Sequence, residues 1–241
     1  MVISLLDLLA LIVFILSWLG YTVFARRKAK TTNCIARVMH QQRIHWMSQV
    51  IAKEVRIAEA ALLANLERNI AFFASTTLLV IAGVLTLFSQ VEKLETVIGS
   101  IPFAASSNHA LVQVKLVLLA GIFVIAFFQF TWSMRQYGFV NIMIGAAPLD
   151  KTGTDKNALG YARQMAVVQD QAAHSYNYGL RSYYYSMAAM CWFMHPGMLI
   201  FASLFVVYTL YQREFNSKAV IAITAAQAYL EQNPAYHYKD Q

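Results

Sequence analysis

Val112–Ser133 reads VQVKLVLLAGIFVIAFFQFTWS, an apolar run long enough to cross a bilayer. A spanning helix needs about 20 mostly apolar residues. Three further runs meet that length: Val2–Ala25, Ile70–Ser89 and Met187–Tyr211. The chain therefore reads as an integral membrane protein with four spans, an all-α bundle. Hydrophobic residues make up 59% of its 241 residues and charged residues 13%, against about 25% charged in soluble domains. Mean hydropathy is +0.49. A single membrane domain covering 1–241 is expected, its soluble segments extending the membrane helices. The two cysteines, Cys34 in a basic segment and Cys191 inside the last run, do not form a disulfide framework.

Loop charge orients such a chain, because Lys and Arg are retained on the cytoplasmic side. Segment 26–69 carries nine of the 19 Lys and Arg, and segment 134–186 carries five. The other side receives two, Lys93 and Lys115, from the middle loop and three, Arg213, Lys218 and Lys239, from the tail. This split of 14 against 5 predicts two cytoplasmic segments, with both termini periplasmic and the tail 212–241 external. The formal net charge of +7 is then mostly an orientation signal, and no nucleic-acid partner is expected. The first run has no positive n-region and is followed directly by Arg26-Arg27-Lys28, a stop-transfer pattern rather than a cleaved leader. That basic cluster anchors the inner leaflet and favours anionic lipid.

Segment 33–69 has no Pro or Gly and is rich in good helix formers. It is expected to run as one helix into the second span, with room for a bend near Trp46. The loop 90–111, with Pro102 and Ser106-Ser107-Asn108-His109, reads as a short external loop. Residues 144–157 form the clearest turn, with two Gly and one Pro. A helix over 157–186 follows and is expected to continue into the fourth span. Leu159, Ala162, Ala166, Gln169, Ala173, Tyr176, Leu180, Tyr183 and Met187 alternate spacings of 3 and 4 along it. That is the pattern of a coiled-coil seam, and its obvious partner is the helix 33–69.

The chemistry is sparse. His195 precedes Pro196, where a helix irregularity is expected with the imidazole bonding a freed carbonyl. His40 and His45 stand on different helical faces, so no shared metal is expected. No carboxylate lies mid-span, which disfavours a proton-coupled carrier or cation pump. No nucleotide-binding, nucleophile-elbow or metalloprotease motif occurs, and neither an enzyme nor a cofactor is expected. The suggestive set is Arg68, Arg135 and Arg181 at the span ends, with Asn177 one turn before Arg181. Arginine suits bidentate recognition of phosphate or carboxylate, so these four form the candidate anion- or lipid-binding site. Glu67, Asn141 and the carbonyls after Gly145 are the alternative acceptors for the three guanidinium groups.

Three stretches stand out together: NLERNIAFFASTT at 65–77, FFQFTWSMRQY at 127–137 with IGAAP at 144–148, and YNYGLRSYYY at 176–185 with Trp192-Phe193 and Pro196. They resemble a family of bacterial four-span inner-membrane proteins known only as a domain of unknown function. The likeness covers about residues 34–211 and leaves out the tail. It implies a shared architecture, a bacterial inner-membrane location, and attention to Arg68, Arg135, Asn177, Gly179 and Arg181. The function expected is that of a non-catalytic accessory or structural subunit that self-associates or docks on a larger membrane complex. The alternative is an oligomeric channel or anion-permeable pore with a cytoplasmic arginine cluster. A lipid- or quinone-directed enzyme is the third class, without a catalytic set behind it.

Overall fold

The structure, a computed structural model, describes residues 4–29, 31–102, 105 and 108–232. The start of the first run at Val2, Lys30, the Ser106-Ser107 pair and the tail from Asn233, with Lys239, lie outside the described residues. The described chain is all-α and forms eight helices: α1 Leu5–Lys28, α2 Ile35–Ile51, α3 Ile57–Phe88, α4 Val91–Gly99, α5 His109–Ala146, α6 Lys156–Cys191, α7 Pro196–Phe215 and α8 Lys218–Gln232. Local chemistry starts several of them. Ser4 Oγ accepts the Asp7 amide at 3.1 Å, and its hydroxyl donates back to the Asp7 carboxylate at 2.6 Å. Asn108 accepts from Leu111 N–H, and Asp155 from Asn157 N–H, each at 2.8 Å. Both follow the rule that short polar side chains cap helix starts.

Three helices, α1, α3 and α5, are long and apolar enough to cross a membrane, with mean hydropathies of 2.3, 2.2 and 2.5. The expected fourth span is not one helix. Its run breaks at Trp192–His195, because proline lacks an N–H and disfavours helical backbone in the residue before it. His195 is extended, at φ −157° and ψ 139°. Its ring does not donate to a freed carbonyl as expected. Nδ1 accepts the Gly197 N–H at 2.9 Å and caps α7. Helix α7 then turns back along α6 and α1. Arg181 on α6 pairs with Glu214 on α7 at 2.8 Å, and Tyr21 on α1 donates to the same carboxylate at 3.0 Å.

This hairpin changes where the tail goes. At one end of the bundle, Trp192 Nε1 donates to Asp7 Oδ1 at 2.8 Å, and Ala105 N–H donates to Met194 O at 2.8 Å. That end also carries α4. At the other end lie Lys28, α2 and α8, and α8 packs on α2. The expectation that both chain ends share a side, with 212–241 opposite the basic segments, is therefore corrected. The first turn of α1 and the helix α8 lie at opposite ends.

Two other expectations change. The helix expected through 33–89 divides at residues 52–56, so that α2 packs on α6 while α3 packs on α5. Arg56 holds this break. Its guanidinium donates to Val50 O, Ile144 O, Ala147 O and Pro148 O at 2.8–3.1 Å, satisfying carbonyls released at two helix ends. The loop at 90–111 holds α4, whose Val91 and Ile98 are buried. The α6 seam does bury Ala162, Ala166, Gln169 and Ala173, but its chief neighbour is α5, with α2 on its other side. Met187, at the far end of the seam, is exposed.

The second half of α6 is polar for a segment inside an apolar bundle, and its small residues explain how it fits. Gly179, Ser182, Ser186, Ala188 and Ala189 are buried and let neighbouring helices approach closely. A Cβ on Gly179 would sit 2.5 Å from the Phe130 ring. That ring is itself packed against Phe73, Tyr176 and Tyr183.

Candidate functional site

Folding α7 back beside α1 and α6 encloses a cavity of about 1270 Å³ at the α2 end. One face of α6 forms its floor with Asp170, His174, Asn177, Arg181 and Tyr184. Their spacing alternates 4 and 3 residues, which keeps them on one side of a helix. α1 contributes Arg26, α2 contributes Arg37 and His40, α5 contributes Trp132 and Gln136, and α7 contributes Arg213 and Glu214.

Four guanidinium groups, those of Arg26, Arg37, Arg181 and Arg213, thus face two carboxylates, Asp170 and Glu214. Both carboxylates are already held. Glu214 accepts from Arg181 and Tyr21, and the Arg181 guanidinium stacks 5.5 Å from the centroids of Tyr21 and Tyr178. Asp170 accepts from Arg43 at 2.6 Å and contacts His40 Nδ1. Arg26 donates to the Tyr178 hydroxyl at 2.9 Å, and Arg213 to the Tyr184 hydroxyl at 2.5 Å. A phenol orients a guanidinium without neutralising it. With Asp170 engaged by Arg43 and Glu214 by Arg181, Arg26 and Arg213 leave the wall a surplus of positive charge in a partly open space, where field lines from like charges concentrate. Desolvation by the surrounding wall holds His174, whose side chain opens to the cavity, below the usual histidine range, while the nearby Asp170 carboxylate works the other way. Among the described residues, no three His, Cys, Asp or Glu side chains gather in a way that would hold a metal.

Of the four sequence-predicted site residues, the structure brings two together. Arg181 and Asn177 line the cavity. Arg68 and Arg135 are exposed and take no part in its wall. Arg68 rides on α3, which packs on α5 and supplies no lining residue. Arg135 points one helical step away from the cavity-lining Gln136, with its guanidinium over Phe139 at 5.8 Å. The expected convergence of three arginines is thus corrected to Arg181 alone, joined by Arg26, Arg37 and Arg213. The acceptors proposed for the cluster are occupied elsewhere. Asn141 donates to Glu67 at 2.8 Å, and carbonyls on either side of Gly145 accept from Arg56. The sequence reading places Arg213 and Glu214, in the tail 212–241, on the opposite side of the membrane. The signal for the site was present as the second 4-3-4-3 stripe on α6, beside the alanine seam.

No curated protein and no solved structure matches the chain. A family model matches residues 9–219, a wider stretch than the expected resemblance and one that takes in most of α1, Arg213 and Glu214. The chain, with its all-α fold and apolar helices, therefore belongs to the family described as "Protein of unknown function, DUF599".

Proposed function

We propose that this protein is a non-catalytic, multi-pass membrane protein that holds an anionic ligand in the basic cavity at its α2 end. The single observation behind this reading is the set of four guanidinium groups against two engaged carboxylates in one cavity. Arginine matches phosphate and carboxylate geometry, and a low-dielectric wall strengthens the attraction. With α7 turned back, only Lys93 and Lys115 of the described basic residues belong to the α4 end. By the positive-inside rule the α2 end, with α8, faces the cytoplasm of a bacterial inner membrane and the α4 end faces outward. In this topology α7 and the part of α6 from about Tyr178 onward, level with Arg26 at the end of α1, also cross the bilayer.

The cavity closes toward the α4 end against a packed core that includes Phe14, Tyr185, Trp192 and Leu199. This supports a binding chamber, consistent with an accessory subunit of a larger membrane complex, over a pore through one chain. Titration of the detergent-solubilised protein with inorganic phosphate and glycerol phosphate, read by calorimetry, tests the reading. Binding is expected, and Arg26→Gln or Arg213→Gln should weaken it about tenfold or more. Absence of binding by the folded protein, or equal binding by both variants, would overturn it.

A further inference from the structure

Between α1 and α7 runs a second concavity of about 520 Å³, lined by Ser17, Tyr21, Phe24, Leu204, Val207 and Tyr208 and closed at its basic end by Tyr211. Lys28 stands at that end. Its ammonium donates to the Tyr211 hydroxyl at 2.7 Å and rests against three rings, 4.5 Å from the centroid of Tyr211, 4.9 Å from Phe215 and 5.6 Å from Phe24. A lysine at the end of a span normally extends its stem toward the aqueous interface. Here the aromatic cage fixes the charge directly at the mouth of an apolar groove. An ammonium has three donors, and one is used on Tyr211. From Ser17 to Phe24 the groove follows α1 for about 11 Å at 1.5 Å per residue, and Lys28 stands about one helical turn beyond it. Half of the ~30 Å hydrocarbon core is about 15 Å. The groove together with Lys28 beyond it therefore reaches about the depth of one leaflet.

We infer that this groove binds one acyl chain of an anionic phospholipid, with the lipid phosphate on Lys28. The occupant follows from charge and length together: an apolar channel about 11 Å long has a preorganised cation one helical turn beyond it, which matches a chain bearing a phosphate at one end. Arg27, next in sequence, adds a second cation at the same level. The site is separated from the basic cavity by the Tyr21–Glu214–Arg181 contacts, and it stands whether or not the cavity binds an anion. It rests only on the apolar helices crossing a bilayer.

The test uses the full chain with a photoreactive residue at position 207, in nanodiscs containing phosphatidylglycerol or phosphatidylcholine with the same acyl chains. Crosslinked lipid is expected at Val207, with phosphatidylglycerol favoured about fivefold for one interfacial lysine contact. Lys28→Gln should remove that preference, and Lys28→Arg should restore it. Val207→Trp, read instead by native mass spectrometry, should reduce retention of both lipids. Arg213→Gln should change none of these results, so failure of the cavity reading remains separate. Equal capture of the two lipids by the wild-type chain would overturn the proposal. So would loss of the lipid to millimolar inorganic phosphate, which would mark a bare anion contact, or crosslinking of Val207 to a second protein copy instead of lipid.

Discussion

The two ends of the bundle handle buried charge in opposite ways. At the α4 end, Asp7, Lys115 and Trp192 are 5%, 2% and 0% exposed. The carboxylate receives the indole N–H, and the ammonium lies 5.6 Å from the Trp192 ring, within the electrostatic reach of Asp7. That end is sealed, and its charges serve to join α1, α5 and the bend before α7. At the α2 end, the charges line an open cavity and the cations outnumber the acids. The difference teaches where binding can occur. A charge set that neutralises itself behind packed rings is structural, whereas a surplus of one sign in an accessible wall invites a counter-ion from outside.

The largest expected effect lies at the sealed end. Asp7→Ala leaves the buried Trp192 N–H without its charged acceptor and removes the carboxylate's attraction for the buried Lys115, a loss of about 3 kcal/mol or more. Thermal unfolding in detergent should register the loss. Arg213→Ala at the open end should stay within about 0.5 kcal/mol of the native chain, as exposed substitutions usually do, while weakening anion binding. Similar unfolding costs for the two variants would erase the distinction between the ends. Next come two overpacking changes in the wall between the ends. Gly179→Ala drives a methyl into the Phe130 ring, and Ala166→Leu fills a fully buried position on α6. Each should cost about 1–3 kcal/mol. Unchanged unfolding temperatures would mean that α5 and α6 do not approach as closely as described.

The smallest effect concerns pH. His174 is held below the ordinary histidine range by its surroundings, so the unfolded chain takes up that proton first as pH falls. Stability from this group is complete above the unfolded value of about 6.5 and declines as pH drops below it. Comparing the unfolding of the native chain and His174→Asn at pH 7.5 and 5.5 isolates the contribution. The native chain should lose more on acidification, and equal losses would remove His174 from the account.

Much of the architecture was legible because apolar length and helix propensity are local properties. α1, α3 and α5 follow from them, as does the turn held by Asp150, whose Oδ1 accepts from the Thr152 hydroxyl at 2.7 Å. The reversal at Trp192–His195 was not. Pro196 announces a break, but whether a break becomes a kink or a hairpin depends on distant partners. Here these are Asp7 for Trp192 and Arg181 for Glu214. The division at residues 52–56 was hidden for the same reason, since the groups that receive Arg56 lie on the 144–148 segment. Two of the four candidate residues share the cavity. Arg181 and Asn177 were visible from their place beside a span, while Arg26, Arg37 and Arg213 join them only once α7 folds back.

The last apolar run is a hairpin, which carries Arg213 and Glu214 back to the basic end. Single cysteines at Glu92, Thr154 and Lys218, in a chain lacking Cys34 and Cys191, can be labelled with a membrane-impermeant maleimide in intact and in opened cells. Thr154→Cys and Lys218→Cys should label only after opening, and Glu92→Cys should label in intact cells. Labelling of Lys218→Cys alongside Glu92→Cys in intact cells would place α8 on the α4 side and contradict the hairpin, and with it the cavity.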